Sequence, residues 1–121
     1  TVLLSIQALV FVENPLHNEP GYEKEKGIRN DNYNNLVLYA NFKTAIYQMV
    51  LNPPQSFEEF NSITIKNFID NYKLILQKLE KNMKYDNKSF TLQIYNMCEK
   101  INYTDLKKSM EDLYSNIINQ N

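Results

Sequence analysis

The chain opens on a short run of apolar residues. Nine of the first twelve residues are apolar, and the run ends at Val12 with Ser5 and Gln7 inside it. A helix that spans a bilayer needs about 20 apolar residues, so this run is too short to cross one. It also lacks the basic leader and the cleavage site of a signal peptide. The pattern therefore predicts a buried helix that Thr1 caps and Pro15 ends.

A second apolar pattern predicts a long helix in the first half of the chain. Residues 13–30 contain both glycines and are expected to form a loop. Asp31 or Asn32 is expected to cap a helix that ends at about Leu51, because Asn52-Pro53-Pro54 cannot continue it. The apolar stripe of this helix consists of Leu38, Phe42, Ala45 and Met49, and is widened by Tyr39, Ile46 and Val50.

Three further helical patterns follow. Ser56 and Glu59 have the spacing of a capping box, and the helix that they start is expected to bend near Asn71. Ser89 is expected to cap the next helix and Thr104 the last. No strand is predicted, so the chain is expected to be all-α with about five to six helices.

Composition excludes several classes of protein. The net charge of −1 leaves no basic stripe, so neither nucleic acid nor a membrane surface is an expected partner. One cysteine and one histidine cannot complete a zinc site, and neither a metal nor a cofactor is expected. The lack of any disulfide pair indicates an intracellular protein, cytoplasmic or nuclear. The bias toward Asn, Lys, Ile and Tyr is typical of an AT-rich genome, such as that of a protist or of a large virus, whose proteins would work in the host cell.

Two single residues could carry chemistry. Cys98 lies at helical spacing from Ile94 and Ile101, which favours a buried structural cysteine over a nucleophile. His17 could act as a base, but no Ser or Cys partner accompanies it, which favours a surface histidine. The residues alone predict a soluble helical protein without a self-contained active site.

The opening helix and the loop after it resemble one known family. Val2–Val10 (VLLSIQALV) is similar to the crossover helix of ubiquitin-conjugating enzymes, which leads into an Asn-Pro loop, here Asn14-Pro15. Asn18–Glu23 (NEPGYE) resembles the matching stretch of the very large members that combine conjugating and ligase functions. Asn52-Pro53-Pro54, followed by a Phe-containing helix, also fits that subgroup. The resemblance covers residues 1–60.

The resemblance implies a division of the chain. Residues 1–83 would be the helical C-terminal part of an α+β conjugating domain, and residues 84–121 a helical extension of unknown role. The family's sheet, its His-Pro-Asn motif and its catalytic cysteine would precede Thr1. Cys98 follows the crossover helix and is therefore not the expected nucleophile, so this chain is expected to be inactive alone.

The resemblance also implies a reaction. In this family, a substrate lysine attacks the thioester between a cysteine and ubiquitin, and an acid in the loop after the crossover helix positions the amine. Glu19 is the preferred match because it precedes a proline, and His17 and Asn18 are alternatives.

The implied partners are ubiquitin and, through the parent protein, the ubiquitin-activating enzyme and a substrate protein. Thr1, Leu4 and Ala8 lie on one helix face and match the positions that hold the donor ubiquitin. The face that would lie on the sheet is expected to be covered by a second copy or by the C-terminal helices. Two other interpretations stay open: a non-catalytic helical interaction module and an unrelated helical bundle.

Overall fold

The computed structural model describes residues 1–92 and 96–120 and is mostly helical in that part of the chain. Its helices are α1 (Val2–Val10), α2 (Ile28–Ala40), α3 (Asn61–Lys81) and α4 (Tyr103–Asn119). A π-helical segment, Asn41–Gln48, and a closing turn, Met49–Leu51, prolong α2. Short 3-10 turns lie at Pro15–Asn18, Gln55–Phe60 and Met83–Tyr85, and strands β1 (Ser89–Leu92) and β2 (Met97–Lys100) pair in a small sheet.

The chain divides into two compact units. The first contains Thr1–Leu38 and Phe90–Glu99, and the second contains Tyr39–Ser89 and Lys100–Asn121. In the residues that the structure describes, no helix combines the length and the apolar character needed to cross a membrane.

Helix α1 of the first unit forms as predicted but is not buried. The Thr1 hydroxyl accepts a hydrogen bond from the Leu4 N–H at 3.4 Å, which confirms Thr1 as the N-cap. However, Val2, Leu3 and Leu4 are 76%, 77% and 63% exposed. The expectation of a buried helix is therefore wrong within this chain, because the described residues provide no surface that covers these side chains.

The loop after α1 is anchored by one leucine and ends earlier than predicted. Leu16 is fully buried in the first 3-10 turn. Gly27 has a φ of +79°, which an L side chain rarely adopts, and its carbonyl accepts the Asp31 N–H at 3.0 Å. As a result α2 begins at Ile28, so neither Asp31 nor Asn32 is its cap.

In the second unit, the π-helical segment changes which side chains of this long helix are buried. Its i→i+5 hydrogen bonds widen the turns, so the spacing of buried positions departs from that of an α-helix. Tyr39 and Phe42 are buried and pack edge-on against Tyr103, with ring centroids 5.2 Å and 6.3 Å away. Ala45, which was placed in the predicted stripe, is exposed.

Helix α3 is continuous through Asn71, so the chain stays helical where a bend was predicted. The predicted capping box is wrong. The Phe57 N–H donates to the Pro54 carbonyl at 2.8 Å and closes a 3-10 turn, which places Ser56 inside that turn instead of at a helix start. The core between α3 and α4 consists of Phe68, Ile75, Leu79, Leu106, Met110 and Leu113.

A β-hairpin replaces the helix that was predicted from Ser89, so the expectation of an all-α chain of five to six helices is wrong. The Asn87 N–H donates to the Ile101 carbonyl and the Ile101 N–H to the Lys88 carbonyl, each at 2.9 Å. Burial alternates as in a strand, because in β1 the exposed Thr91 is followed by the buried Leu92. Ile94, which the helical pattern included, lies outside the described residues.

The start of α4 also differs from the prediction. The Asn102 side chain accepts the Asp105 N–H at 3.0 Å, so Asn102 is the N-cap instead of Thr104. The Thr104 N–H donates to the Asp86 carboxylate at 3.3 Å, which satisfies a second free donor of the first turn.

Candidate functional site

The loop between α1 and α2 contains the candidate amine-positioning residues. Its 3-10 turn is closed by two backbone hydrogen bonds of 3.0 Å, from the His17 N–H to the Asn14 carbonyl and from the Glu19 N–H to the Leu16 carbonyl. Leu16, which lies within the turn, is fully buried and anchors the turn to the first unit. Glu19 directly follows this turn.

The Glu19 carboxylate lies near the hydroxyl of Tyr33 on α2. Both side chains are half-buried. Burial, and then the nearby negative charge of Glu19, raise the pKa of the Tyr33 hydroxyl above its usual value. The role of Glu19 as the amine-positioning acid stays a prediction.

The two alternatives to Glu19 are placed differently. The His17 Nε2 lies 2.8 Å from the Glu25 carbonyl oxygen. A carbonyl can only accept, so Nε2 carries a proton and only Nδ1 could act as a base. Asn18 is exposed at the end of the same turn. The three candidates are consecutive in the sequence, and all lie in the 3-10 turn or directly after it.

Three asparagines form a polar cluster beneath this loop. Asn30 Nδ2 and Asn34 Nδ2 both donate to Asn14 Oδ1, at 2.8 Å and 3.3 Å. The Oδ1 atoms of Asn30 and Asn34 are buried and have no hydrogen-bond partner among the described residues. Sequence reasoning missed this cluster, although the i, i+4 spacing of Asn30 and Asn34 could have indicated a shared helix face.

The predicted ubiquitin-facing positions lie together on α1. Thr1, Leu4 and Ala8 are all exposed. The Thr1 hydroxyl is occupied as the helix cap, so an accessible apolar surface comes from Leu4 and Ala8. The structure leaves the contact with ubiquitin a prediction.

Cys98 is not in the buried position that the helical pattern favoured. It lies in β2 and is exposed, because the segment is a strand and not a helix. Its Sγ accepts a hydrogen bond of 3.5 Å from the Thr91 hydroxyl on β1. Among the described residues, no group of three or more His, Cys, Asp or Glu side chains is arranged to hold a metal ion.

Comparison with known proteins finds relatives for about half of the chain. No protein-family model matches the chain. The chain is 36% identical over 73 residues to the ubiquitin-conjugating enzyme E2 Z of Xenopus tropicalis, and these residues are 60% of this chain. It is 45% identical over 64 residues, or 49% of its length, to the putative ubiquitin-conjugating enzyme E2 38 of Arabidopsis thaliana. About half of this chain is a region related to ubiquitin-conjugating domains.

The ubiquitin-conjugating relatives are much longer than this chain. The matched regions are 23% of the Xenopus protein and 19% of the Arabidopsis protein. A third relative, the probable ubiquitin-conjugating enzyme E2 R521 of Acanthamoeba polyphaga mimivirus, is 39% identical over 62 residues, which are 4% of its length. The chain therefore spans less than a quarter of each of these ubiquitin-conjugating relatives.

Proposed function

We propose that this chain is the C-terminal part of a ubiquitin-conjugating domain together with an extension. In the parent protein, ubiquitin would be transferred from a cysteine thioester to a substrate lysine. The catalytic cysteine would lie upstream of Thr1, so the chain alone would be inactive. The observation that carries the proposal is the similarity of about half the chain to proteins named ubiquitin-conjugating enzymes.

The exposure of α1 supports this proposal. Val2, Leu3, Leu4 and Ile6 are between 44% and 77% exposed, although all four are large apolar residues. Complete burial of one such side chain stabilises a protein by about 1.5–3 kcal/mol. A crossover helix that lies on a sheet would gain this stabilisation from a surface supplied outside this chain.

The loop after α1 would supply the amine-positioning group. A carboxylate attracts the lysine ammonium and accepts its hydrogen bond, and a fixed position brings the amine close to the thioester carbonyl. Glu19 suits this role, because it carries a carboxylate and directly follows a turn that two backbone hydrogen bonds close. The carboxylate makes Glu19 a better candidate than His17, whose Nε2 is already bonded.

We also propose a subgroup, a division of the chain, partners and a cellular location for the enzyme. The NEPGYE stretch supports membership of the very large conjugating and ligase subgroup, with residues 1–83 in the domain and 84–121 as its extension. The partners would be ubiquitin, the ubiquitin-activating enzyme and a substrate protein. The reaction would take place inside the cell, in the cytoplasm or nucleus.

An adduct assay tests the proposal. The parent protein is incubated with ubiquitin, activating enzyme and ATP, and is expected to form an adduct that dithiothreitol removes. Residues 1–121 are expected to form none, and Cys98→Ser in the parent is expected to leave the adduct intact. If the parent forms no adduct, the proposal that it is a ubiquitin-conjugating enzyme is contradicted. An adduct on Cys98 would contradict the proposal that the nucleophile lies upstream of Thr1.

A second assay tests the ubiquitin-facing side of α1. In the parent, Leu4→Asp is expected to leave thioester formation unchanged and to slow discharge onto free lysine about tenfold, because the closed ubiquitin loses an apolar contact. Leu74→Asp, at a leucine of α3 that is 49% exposed, serves as the matched control. Equal discharge rates for both variants would exclude this role of Leu4.

A non-catalytic interaction module is the second candidate, because the exposed apolar side chains of α1 would also suit a purely binding surface. In that case a second copy could cover α1. Sedimentation of residues 1–121 over a hundredfold concentration range distinguishes the outcomes. A mass that doubles and returns to the monomer with Leu4→Asp supports a homodimer through α1.

A further inference from the structure

The π-helical segment and α3 enclose a cleft in the second unit. Ala45 and Ile46 line one side of it, and Asn67 and Asn71 line the other. Phe68 and Ile75, which are 3% and 8% exposed, also border it, so its interior is apolar. The volume of about 320 Å³ is at the lower end of the range of about 300–1,000 Å³ that is typical of ligand sites.

The π-helical segment contributes the open side of this cleft. Ala45 was predicted to share a stripe with Phe42, which is buried, but Ala45 lines the cleft and is exposed. Its methyl group is too small to close the opening. Helices with i→i+5 hydrogen bonds are rare and are frequently found at functional sites. The local departure from an α-helix therefore coincides with an accessible apolar cleft.

Two amide groups lie along the α3 edge of the cleft. Asn67 and Asn71 are one turn apart, which is about 6 Å along the helix axis. The Asn71 Nδ2 donates to the Asn67 carbonyl at 2.9 Å, which leaves the Asn71 Oδ1 as an acceptor. In the part of the chain that the structure describes, the side-chain amide of Asn67 makes no hydrogen bond. This edge therefore offers both a donor and acceptors to a ligand.

The spacing of these amides matches the backbone of an extended chain. In a strand, the backbone groups on one side repeat every two residues, or about 6.6–6.8 Å. An extended ligand presents free N–H and C=O groups at this spacing, whereas a helical ligand has already paired them internally. The amides of Asn67 and Asn71 therefore favour an extended segment over a helix.

One end of the cleft is bordered by exposed phenylalanines and carboxylates. Thr64 lines the cleft one turn after Phe60. Phe57 and Phe60 are 47% and 48% exposed, and their ring centroids are 6.2 Å apart. Glu58 and Glu59, in the same 3-10 turn, are exposed and form no ion pair with another described residue. A lysine or arginine of a ligand would complement this charge.

We propose that the cleft binds an extended segment of a partner protein. An apolar side chain of the segment would enter the cleft, its backbone would pair with Asn67 and Asn71, and a basic residue would lie near Glu58 and Glu59. From Phe60 to the far end of the cleft, α3 runs for about 22 Å, which corresponds to about seven extended residues. The inference does not depend on the proposed transfer of ubiquitin, because the candidate amine-positioning loop belongs to the other unit.

Peptide binding to residues 1–121 tests the proposal. The probes are two fluorescent octapeptides, Ser-Leu-Ser-Leu-Ser-Lys-Arg-Ser and the same residues in reverse order, because the direction of the segment is not specified. At least one is expected to bind with a Kd between about 10 µM and 1 mM, and its counterpart with two glutamates in place of Lys-Arg about tenfold more weakly or less tightly still. No binding of either basic peptide at 1 mM, or equal affinity for the acidic counterparts, overturns the proposal.

A second measurement locates the peptide. Ala45→Trp fills the cleft and is expected to weaken binding by about tenfold or more. Thr44→Trp is the matched control, because Thr44 is the exposed neighbour of Ala45 and is not part of the cleft lining. Its affinity is expected to stay within about twofold of the wild type. Equal affinities for both variants overturn the assignment of the cleft.

Backbone recognition is tested with a modified peptide. Methylation of the leucine backbone nitrogens is expected to weaken binding to the wild type about three- to tenfold, because hydrogen bonds are lost. In the double variant Asn67→Ala, Asn71→Ala, the same methylation is expected to cost less than about twofold. Equal factors in both proteins would show that the asparagines do not bind the backbone, and would overturn the extended segment as the ligand.

Sedimentation distinguishes a partner segment from a second copy of this chain. The mass of residues 1–121 is expected to be the same for the wild type and for Ala45→Trp at every concentration. A wild-type dimer that Ala45→Trp converts to a monomer would show that the cleft holds a second copy, and would overturn the proposal.

Discussion

The rings of Tyr72 and Tyr114 stack face to face between α3 and α4, with centroids 3.7 Å apart and planes inclined by 4°. Phe68 packs against both at 65–69°, with centroids 5.9 Å from Tyr72 and 6.4 Å from Tyr114. The three rings pack α3 against α4 at one point along the helices. The ion pair between Lys107 and Glu80, at 2.9 Å, joins them at another.

The tyrosine stack is expected to be energetically coupled. Aromatic pairs contribute about 0.5–1.5 kcal/mol beyond the area that they bury. Tyr72→Ala and Tyr114→Ala, separately and together, should therefore give a coupling free energy of about 1 kcal/mol in urea denaturation. The pair Tyr114→Ala and Tyr47→Ala is the control and should be additive. Additive free energies for Tyr72 and Tyr114 would contradict the stacked arrangement.

Two leucines of α3 make a matched test of the core. Leu79 is fully buried, whereas Leu74 is 49% exposed. Leu79→Ala leaves a cavity and is expected to lower the free energy of unfolding by about 2–5 kcal/mol. Leu74→Ala, the same chemical change, is expected to lower it by about 0.5 kcal/mol or less. Similar losses for the two variants would place the core on a different face of α3.

Alkaline pH is expected to destabilise the second unit through one tyrosine. Burial raises the pKa of the Tyr103 hydroxyl to about 12, from a usual value of 10.0, and the nearby Tyr39 and Tyr85 add to the shift. Below pH 10 the group is neutral in both states, so its contribution to stability is complete. Between pH 10 and 12 the unfolded state loses its proton first, and stability falls.

The size of this loss follows from the shift. One pKa unit corresponds to about 1.4 kcal/mol, so the two-unit shift limits the loss to roughly 2–3 kcal/mol. Thermal unfolding at pH 9 and pH 11.5 measures it, and Tyr103→Phe should reduce the difference between the two pH values. Tyr47→Phe should leave that difference unchanged. An identical pH dependence for wild type and Tyr103→Phe would contradict the burial of this hydroxyl.

The exposure of Cys98 is directly measurable. In the folded chain, its thiol is expected to react with Ellman's reagent within about tenfold of the rate in 8 M urea, because the side chain is exposed in β2. Cys98→Ser is expected to change the free energy of unfolding by less than about 0.5 kcal/mol. A reaction that is hundreds of times slower in the folded chain would indicate the buried cysteine that the helical pattern suggested.

Local sequence signals succeeded where a single interaction decides the structure. Thr1 caps α1 because its hydroxyl meets the Leu4 N–H within one turn, and Asn52-Pro53-Pro54 follows the end of the long helix as predicted. Similarly, the VLLSIQALV stretch indicated a resemblance to ubiquitin-conjugating enzymes, and proteins of that name match about half of the chain. The very large subgroup that NEPGYE indicated stays a prediction.

Local sequence patterns predicted the wrong structure where two local structures compete for the same residues. Ser56 and Glu59 have capping-box spacing, but a 3-10 turn from Pro54 uses the Phe57 N–H instead. Phe90, Thr91 and Leu92 fit either a helix or a strand, and pairing with β2, which lies further along the chain, decides for the strand. Short apolar runs are ambiguous in this way, because their period is read over too few residues.

The candidate site was predictable only in part. Glu19 could be chosen as the candidate from its place before Pro20, but its nearness to Tyr33 joins residues on opposite sides of a loop. The asparagine cluster also joins Asn14 to residues 16 and 20 positions further along the chain. Contacts of this kind depend on how the loop folds back onto α2, which no local pattern determines.

The exposure of α1 has a consequence for the life of the protein in the cell. Any molecule whose α1 is left uncovered presents Leu3, at 77% exposure, and its apolar neighbours to the solvent. Chaperones and proteases continuously sort proteins with accessible apolar surface. While α1 is uncovered, this chain is therefore expected to be bound by chaperones and cleaved by proteases more readily than a variant with a polar residue in place of Leu3.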